Sequence, residues 1–73
     1  MGTPMNLHQE IIARRKEIGL SQIGMARYLY IHDNTYRNLE KGRREMTLRE
    51  FILICKALRW KPEDKIKEVG ERL

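Results

Sequence analysis

The sequence predicts an all-α fold, a compact bundle of four to five short helices in one domain over residues 1–73. Three observations carry that expectation. Apolar residues recur three and four positions apart, the spacing of one helix face. Two of these runs open with a capping box, a reciprocal pair of side-chain bonds to backbone N–H groups. Glycines stand where two of the runs end, which keeps the turns tight. Local contacts dominate a bundle of this kind. A chain of 73 residues buries one modest core and has little stability to spare.

The opening MGTPM reads as a loose start. Helix one is expected over 6–18. Asn6 caps it, Gln9 reaches back to the cap, and Leu7, Ile11 and Ile18 share a face with Ile12 beside it. Gly19 suits the helix end. Ser21 is a good cap for helix two, whose apolar face is expected to hold Ile23, Met25, Ala26 and Leu29 and which stops near Leu29 or Tyr30. Gly24 inside it costs about 1 kcal/mol relative to alanine. Residues 33–40, DNTYRNLE, form a short helix with two apolar anchors, Tyr36 and Leu39. Gly42 ends it, and the arginines that follow are expected to be exposed. TLRE at 47–50 is the second capping box, with Met46 and Phe51 placed for a hydrophobic staple. Leu48, Phe51, Ile52, Cys55 and Leu58 are the expected inward face of helix four. FILIC alone also fits a buried strand, but the capping box favours helix. Pro62 fits the first turn of a last helix with a thin stripe of Ile66, Val69 and Leu73, although Lys61 before it is a poor cap.

The charge is unevenly placed. The net charge is +5, and between Arg14 and Arg49 nine basic residues face four acidic ones, while the rest of the chain is balanced. A local basic surface attracts polyanions, nucleic acid before an anionic membrane; the bland alternative is a solvated face. The lone Cys55, within FILIC, reads as a small buried hydrophobe. His8 and His32 are far apart and no Cys/His pair has ligand spacing, so no metal and no cofactor is expected. There is no nucleophile–base pairing and no phosphate loop, so the chain is not read as an enzyme. No apolar run approaches a membrane span, and a cytoplasmic protein is expected.

A short polar helix held stiffly by two anchors makes sense as a reading surface. An α-helix fits the major groove of B-DNA, where Asn bonds adenine, Arg bonds guanine and the Thr methyl meets thymine. Asn34, Thr35, Arg37 and Asn38 supply these types, and Asp33 is a candidate acceptor from cytosine. Against this stands the plain alternative of an exposed polar face.

Here the sequence resembles the helix-turn-helix family of phage Cro and C1 repressors, the lambda-repressor-like DNA-binding domains. The carriers are Arg15, G-L-S-Q at 19–22, M-A at 25–26, Leu29, Ile31, Y-R-N-L-E-K-G at 36–42, and the capped helix from Thr47 that ends in A-L at 57–58. The resemblance covers residues 7–66 and places the helix-turn-helix at 21–40. It implies that Ala26 lies where helices two and three cross, with Leu29, Ile31, Tyr36 and Leu39 buried. It further implies phosphate contacts at Ser21, Gln22, Lys41, Arg43 and Arg44, and an ion pair between Arg15 and Glu40. His32, just before the recognition helix, is a candidate for phosphate contact or for capping.

Four positions depart from the family pattern. Tyr30 stands where glycine is usual, which predicts a differently shaped turn. Tyr36 replaces Ile or Val, so its hydroxyl needs a partner or an exit to solvent. Asp33 brings a negative charge to the DNA side, with capping, cytosine contact or pairing with Arg37 as its open roles. Gly24 replaces a frequent Glu, so helix two lacks a capping box.

The functional expectation is a sequence-specific double-stranded-DNA-binding regulator, a small repressor or controller protein acting as a homodimer on an inverted repeat. Phage, mobile-element and restriction-modification settings all fit the resemblance. Dimerisation is assigned to residues 51–73, with Trp60, Ile66, Val69 and Leu73 at the interface. Two alternatives remain: an antitoxin that binds DNA and a partner toxin, and a protein-interaction module with an incidental basic face.

Overall fold

Five helices follow one another in a computed structural model that describes residues 6–71: α1 (Leu7–Glu17), α2 (Gln22–Leu29), α3 (Asp33–Glu40), α4 (Leu48–Ala57) and α5 (Pro62–Glu71). The expectations for MGTPM and for Leu73 fall outside the described residues. Both capping boxes form. Asn6 accepts from the Gln9 N–H and Gln9 accepts from that of Asn6, and Thr47 and Glu50 do the same at α4. Ser21 Oγ accepts from Gly24 N–H at 2.9 Å, a cap without a box. A Cβ on Gly24 would stand 3.0 Å from Leu20 Cδ1 and 3.1 Å from Ser21 Oγ, so the packing of Leu20 under α2 disfavours the usual Glu there.

The first four helices end in one way. The residue after each helix-end pair takes a left-handed conformation: Gly19, Tyr30, Gly42 and Arg59. Each N–H at these positions bonds back to the carbonyl three residues earlier, and the next N–H bonds back five residues. That is the Schellman closure. Two of the four sites are therefore held by residues with a side chain, at φ 59° for Tyr30 and 62° for Arg59. The expectation of an altered turn at Tyr30 is thus corrected. The tyrosine adopts the conformation that glycine favours, and the residue is 84% exposed.

The core joins Ile11 of α1, Met25, Ala26 and Leu29 of α2, Tyr36 and Leu39 of α3, and Ile54 and Leu58 around α4. α2 packs on α3 and on α4, α1 on α3, and α5 on α4. Ile23 does not join the apolar face of α2; it is exposed. Leu48 likewise does not face inward and is 67% exposed. It precedes the buried Ile54 by six residues, a rotation of about 240° on a helix of 3.6 residues per turn. The inward stripe of α4 is Glu50, Ile54, Cys55 and Leu58, with Phe51, Ile52 and Leu53 half-buried. Burial pushes the Cys55 thiol up, so it remains a neutral core group.

α5 also turns differently from expectation. Its inner stripe is Pro62, Lys65 and Val69, and Ile66 is half exposed at the flank. Lys65 is buried because it is paired: Nζ meets Glu10 of α1 and Glu68, and stands 4.1 Å above the Trp60 ring. A second tie joins α1 to the end of α4, where Arg14 Nε donates to the Leu58 carbonyl at 3.0 Å.

The left-handed strain at position 30 is testable. Tyr30→Gly relieves a conformational cost of roughly 1–2 kcal/mol, part of which is offset by the freer unfolded chain. Urea unfolding of this variant is expected to show a modest gain in stability. A clear loss would mean that the exposed ring makes a stabilising contact.

Candidate nucleic-acid interface

The site is α3 and the segments that hold it. An eight-residue helix is too short to be stable alone and depends on its packed face. That face is Tyr36, Leu39 and Glu40, all buried. Full burial of each apolar anchor contributes about 1.5–3 kcal/mol. The opposite side carries Asn34, Arg37 and Asn38, exposed at spacings of three and four, and the exposed Lys41 continues the row. Arg37 Nη1 donates to Asn34 Oδ1 at 3.3 Å, which pairs two groups of the row before any ligand arrives. Thr35 and Asp33 are half-buried beside it.

The start of α3 has no side-chain cap. His32 occupies the cap position without a capping hydrogen bond, and Asp33 is the first helical residue. Two of the three roles open to Asp33 are thereby corrected, because it is not the cap and Arg37 bonds Asn34. An acidic residue in the first turn still suits the helix dipole.

At the other end, Glu40 is the hub of a buried polar cluster. Arg15 grips it with two parallel bonds, Nε to Oε2 and Nη2 to Oε1, each 2.9 Å. A third Arg15 nitrogen, Nη1, donates to the Leu20 carbonyl at 3.0 Å, in the turn before α2. Gln22 Nε2, in the first turn of α2, donates to Glu40 Oε1 at 3.1 Å. One carboxylate thus fixes α3 to both α1 and α2. Burial works against ionisation of Glu40, but its donors outweigh it and hold the carboxyl below the usual range. The Glu40 bond holds the Arg15 guanidinium above its ordinary value.

Tyr36 neither reaches solvent nor makes a hydrogen bond of standard geometry. Burial first, and the Glu40 carboxylate beside it second, push its hydroxyl far above the usual phenol range. It therefore stays neutral.

The groups around the row divide into free and committed ones. Ser21 spends an oxygen lone pair on its cap and keeps its hydroxyl proton free. Gln22 spends one of two amide hydrogens on Glu40 and keeps the other. Arg43 is exposed, as expected. Arg44 is not; it is half-buried, with bonds of 2.9 and 2.8 Å to Glu50 on α4. The pairing lowers the Glu50 carboxyl and raises Arg44. Glu50 therefore serves both the capping box and Arg44. The sequence reading missed this pair because its partners stand six residues apart across a loop and a helix start. It also missed the link from Gln22 to Glu40.

The residues assigned to a subunit interface do not share one surface. Ile66 and Val69 line a groove with Leu48 and Phe51, whereas Trp60 lies on another side of α5 with Lys61, Asp64 and Glu68. Among the described residues no helix is long and apolar enough to cross a membrane, and no His/Cys/Asp/Glu group has the arrangement of a metal site.

Two packed helices joined by a tight turn, the second with its polar side outward, define a helix-turn-helix DNA-binding module. Comparison with known families agrees: the Helix-turn-helix family matches residues 11–66. The chain belongs to this Cro/C1-type helix-turn-helix family, whose members are DNA-binding regulators. No curated protein and no solved structure gives a significant match.

The Arg15–Glu40 pair yields a stability prediction. Glu40→Ala strands a buried guanidinium and is expected to cost ~3–5 kcal/mol in urea unfolding. A loss below ~1 kcal/mol would make the pair equivalent to a surface salt bridge. The pH sign follows from the lowered carboxyl. Its contribution is complete above the unfolded carboxylate pKa and is lost as pH falls through the lower folded value. Glu40→Gln should flatten the acid limb of stability below the usual carboxylate range.

Proposed function

We propose that this chain is a sequence-specific double-stranded-DNA-binding transcriptional regulator that acts as a homodimer on an inverted-repeat operator. The observation that carries this reading is the exposed Asn34–Arg37–Asn38 row on a helix fixed by Tyr36, Leu39 and Glu40 on its other side. α3 enters the major groove. Asn34, Thr35, Arg37 and Asn38 read base edges, with Asp33 at the cytosine-accepting end. Ser21, Gln22, His32, Lys41 and Arg43 meet phosphates. Arg44 joins them with its charge partly neutralised by Glu50.

Regulation then follows protein concentration and site occupancy, as in a small repressor or controller protein of a phage, mobile element or restriction-modification system, working in the cytoplasm. One observation favours a second reading, the antitoxin of a toxin–antitoxin pair. An exposed apolar groove beside Leu48 and Ile66 offers a place for a partner protein while α3 remains free.

Two variants test the division between reading and anchoring. Arg37→Ala with Asn38→Ala should abolish discrimination among duplexes and leave most non-specific binding. Arg43→Ala should weaken all duplexes alike and reduce the slope of log K against log salt by about 1. Equal behaviour of the two variants in fluorescence-anisotropy titrations would contradict the assignment.

A further inference from the structure

Asn34 and Arg37 stand three positions apart, on one face of α3. Both are exposed, and Arg37 Nη1 donates to Asn34 Oδ1 at 3.3 Å. Only the oxygen end of an amide accepts from a guanidinium, so this bond settles which way the Asn34 amide turns. Arg14, Arg15 and Arg44 are each paired with a carboxylate, of Glu17, Glu40 and Glu50. Arg37 is held differently. Asp33 lies four positions before it, yet among the described residues no ion pair joins the two, and its acceptor is a neutral amide. The guanidinium is thus held in place without being neutralised. We propose that Asn34 positions Arg37 for guanine, that the two form one all-donor unit, and that adenine falls to Asn38. The inference rests on the DNA reading proposed above and assigns bases to it.

The assignment follows from the donors and acceptors left over. A guanidinium carries five N–H groups, and the bond to Asn34 uses one of them. The Asn34 amide keeps both of its hydrogens, while its oxygen is engaged. Every free polar hydrogen of the pair is therefore a donor. Guanine presents two acceptors in the major groove, N7 and O6, whereas adenine presents N7 beside an amino donor at N6. Adenine against the pair sets donor against donor and leaves hydrogens unpaired in the contact, which costs more than the lost bond alone.

Reading adenine takes both ends of an asparagine amide. An adenine amino group at Asn34 has to share the oxygen with a cation. Asn38 is under no such constraint. It is exposed, and among the described residues its side chain enters no hydrogen bond, so donor and acceptor are both free. The pairing also fixes a long side chain before DNA arrives, which lowers the ordering cost of the guanine contact.

Selection from random duplexes supplies the operator, and anisotropy titrations then compare each half-site base with its replacement. In the unaltered protein one guanine of the half-site should lose about tenfold in affinity when replaced by adenine. Arg37→Ala should remove that preference. Asn34→Ala should reduce it by at least about threefold and leave the preference at an adenine, which Asn38→Ala removes. Asn34→Asp retains an acceptor for Arg37 without the amide hydrogens. It should weaken all duplexes through its charge and keep the guanine preference. Urea unfolding of both Asn34 variants should match the unaltered protein, since the residue is exposed.

Guanine discrimination in Asn34→Ala equal to that of the unaltered protein overturns the positioning role. So does a loss at an adenine in its place, or equal loss in Asn34→Asp and Asn34→Ala. A selected motif that requires no guanine overturns the base assignment while DNA reading stands. A pool with no enriched sequence overturns the DNA reading itself, and the assignment with it.

Discussion

The recognition helix depends on one buried carboxylate. α3 has eight residues, two apolar anchors and little propensity to form alone. Glu40 adds what the anchors do not supply, a directional tie. Arg15 approaches its two oxygens as a planar fork, and the fork fixes the rotation of α3 relative to α1 as well as its distance. The same arginine holds the Leu20 carbonyl and the same carboxylate holds Gln22, so α2 is set by the pair too. A buried ion pair is weak support for stability, because an apolar pair of similar volume often does as well. Its value here lies in orientation. A hydrophobic contact at residue 40 would tolerate sliding of α3, whereas a bidentate bond does not.

Gln22 links this frame to the proposed function. One amide hydrogen is fixed on Glu40, so the side chain is already oriented for the phosphate contact proposed for the second. The backbone anchoring proposed for α2 and the base reading proposed for α3 then share one frame. The Asn34–Arg37 bond acts in the same direction, since a side chain held before binding loses less freedom on binding. Arg44 shows the opposite use of a charge. Its pairing with Glu50 secures the loop after α3 and leaves Arg43 as the freer cation there.

Helix limits were legible wherever local chemistry decides them. The capping boxes at Asn6 and Thr47 and the glycine ends at Gly19 and Gly42 each involve residues a few positions apart. The two ends closed by Tyr30 and Arg59 were harder, because neither residue signals a left-handed turn. Faces were less legible than limits. The run from Phe51 to Cys55 is apolar all round, so its pattern does not say which side turns inward. Leu48 was misassigned for that reason, and Ile23 because it stands two residues, about 200°, before the buried Met25 on the short α2. Lys65 was overlooked because a lysine reads as surface, yet Glu10 and Trp60 give it a buried place. The outward row of α3 was legible from its two anchors alone. The commitments of Gln22 and Arg44 were not, since both partners belong to other elements.

The most direct test of the central claim is selection from random DNA duplexes with the purified protein at near-physiological salt. The account predicts enrichment of a two-fold symmetric motif whose half-sites lie about ten base pairs apart, centre to centre. No enriched sequence, together with binding that depends on salt alone, would contradict it. The outward row of α3 would then be a solvated face.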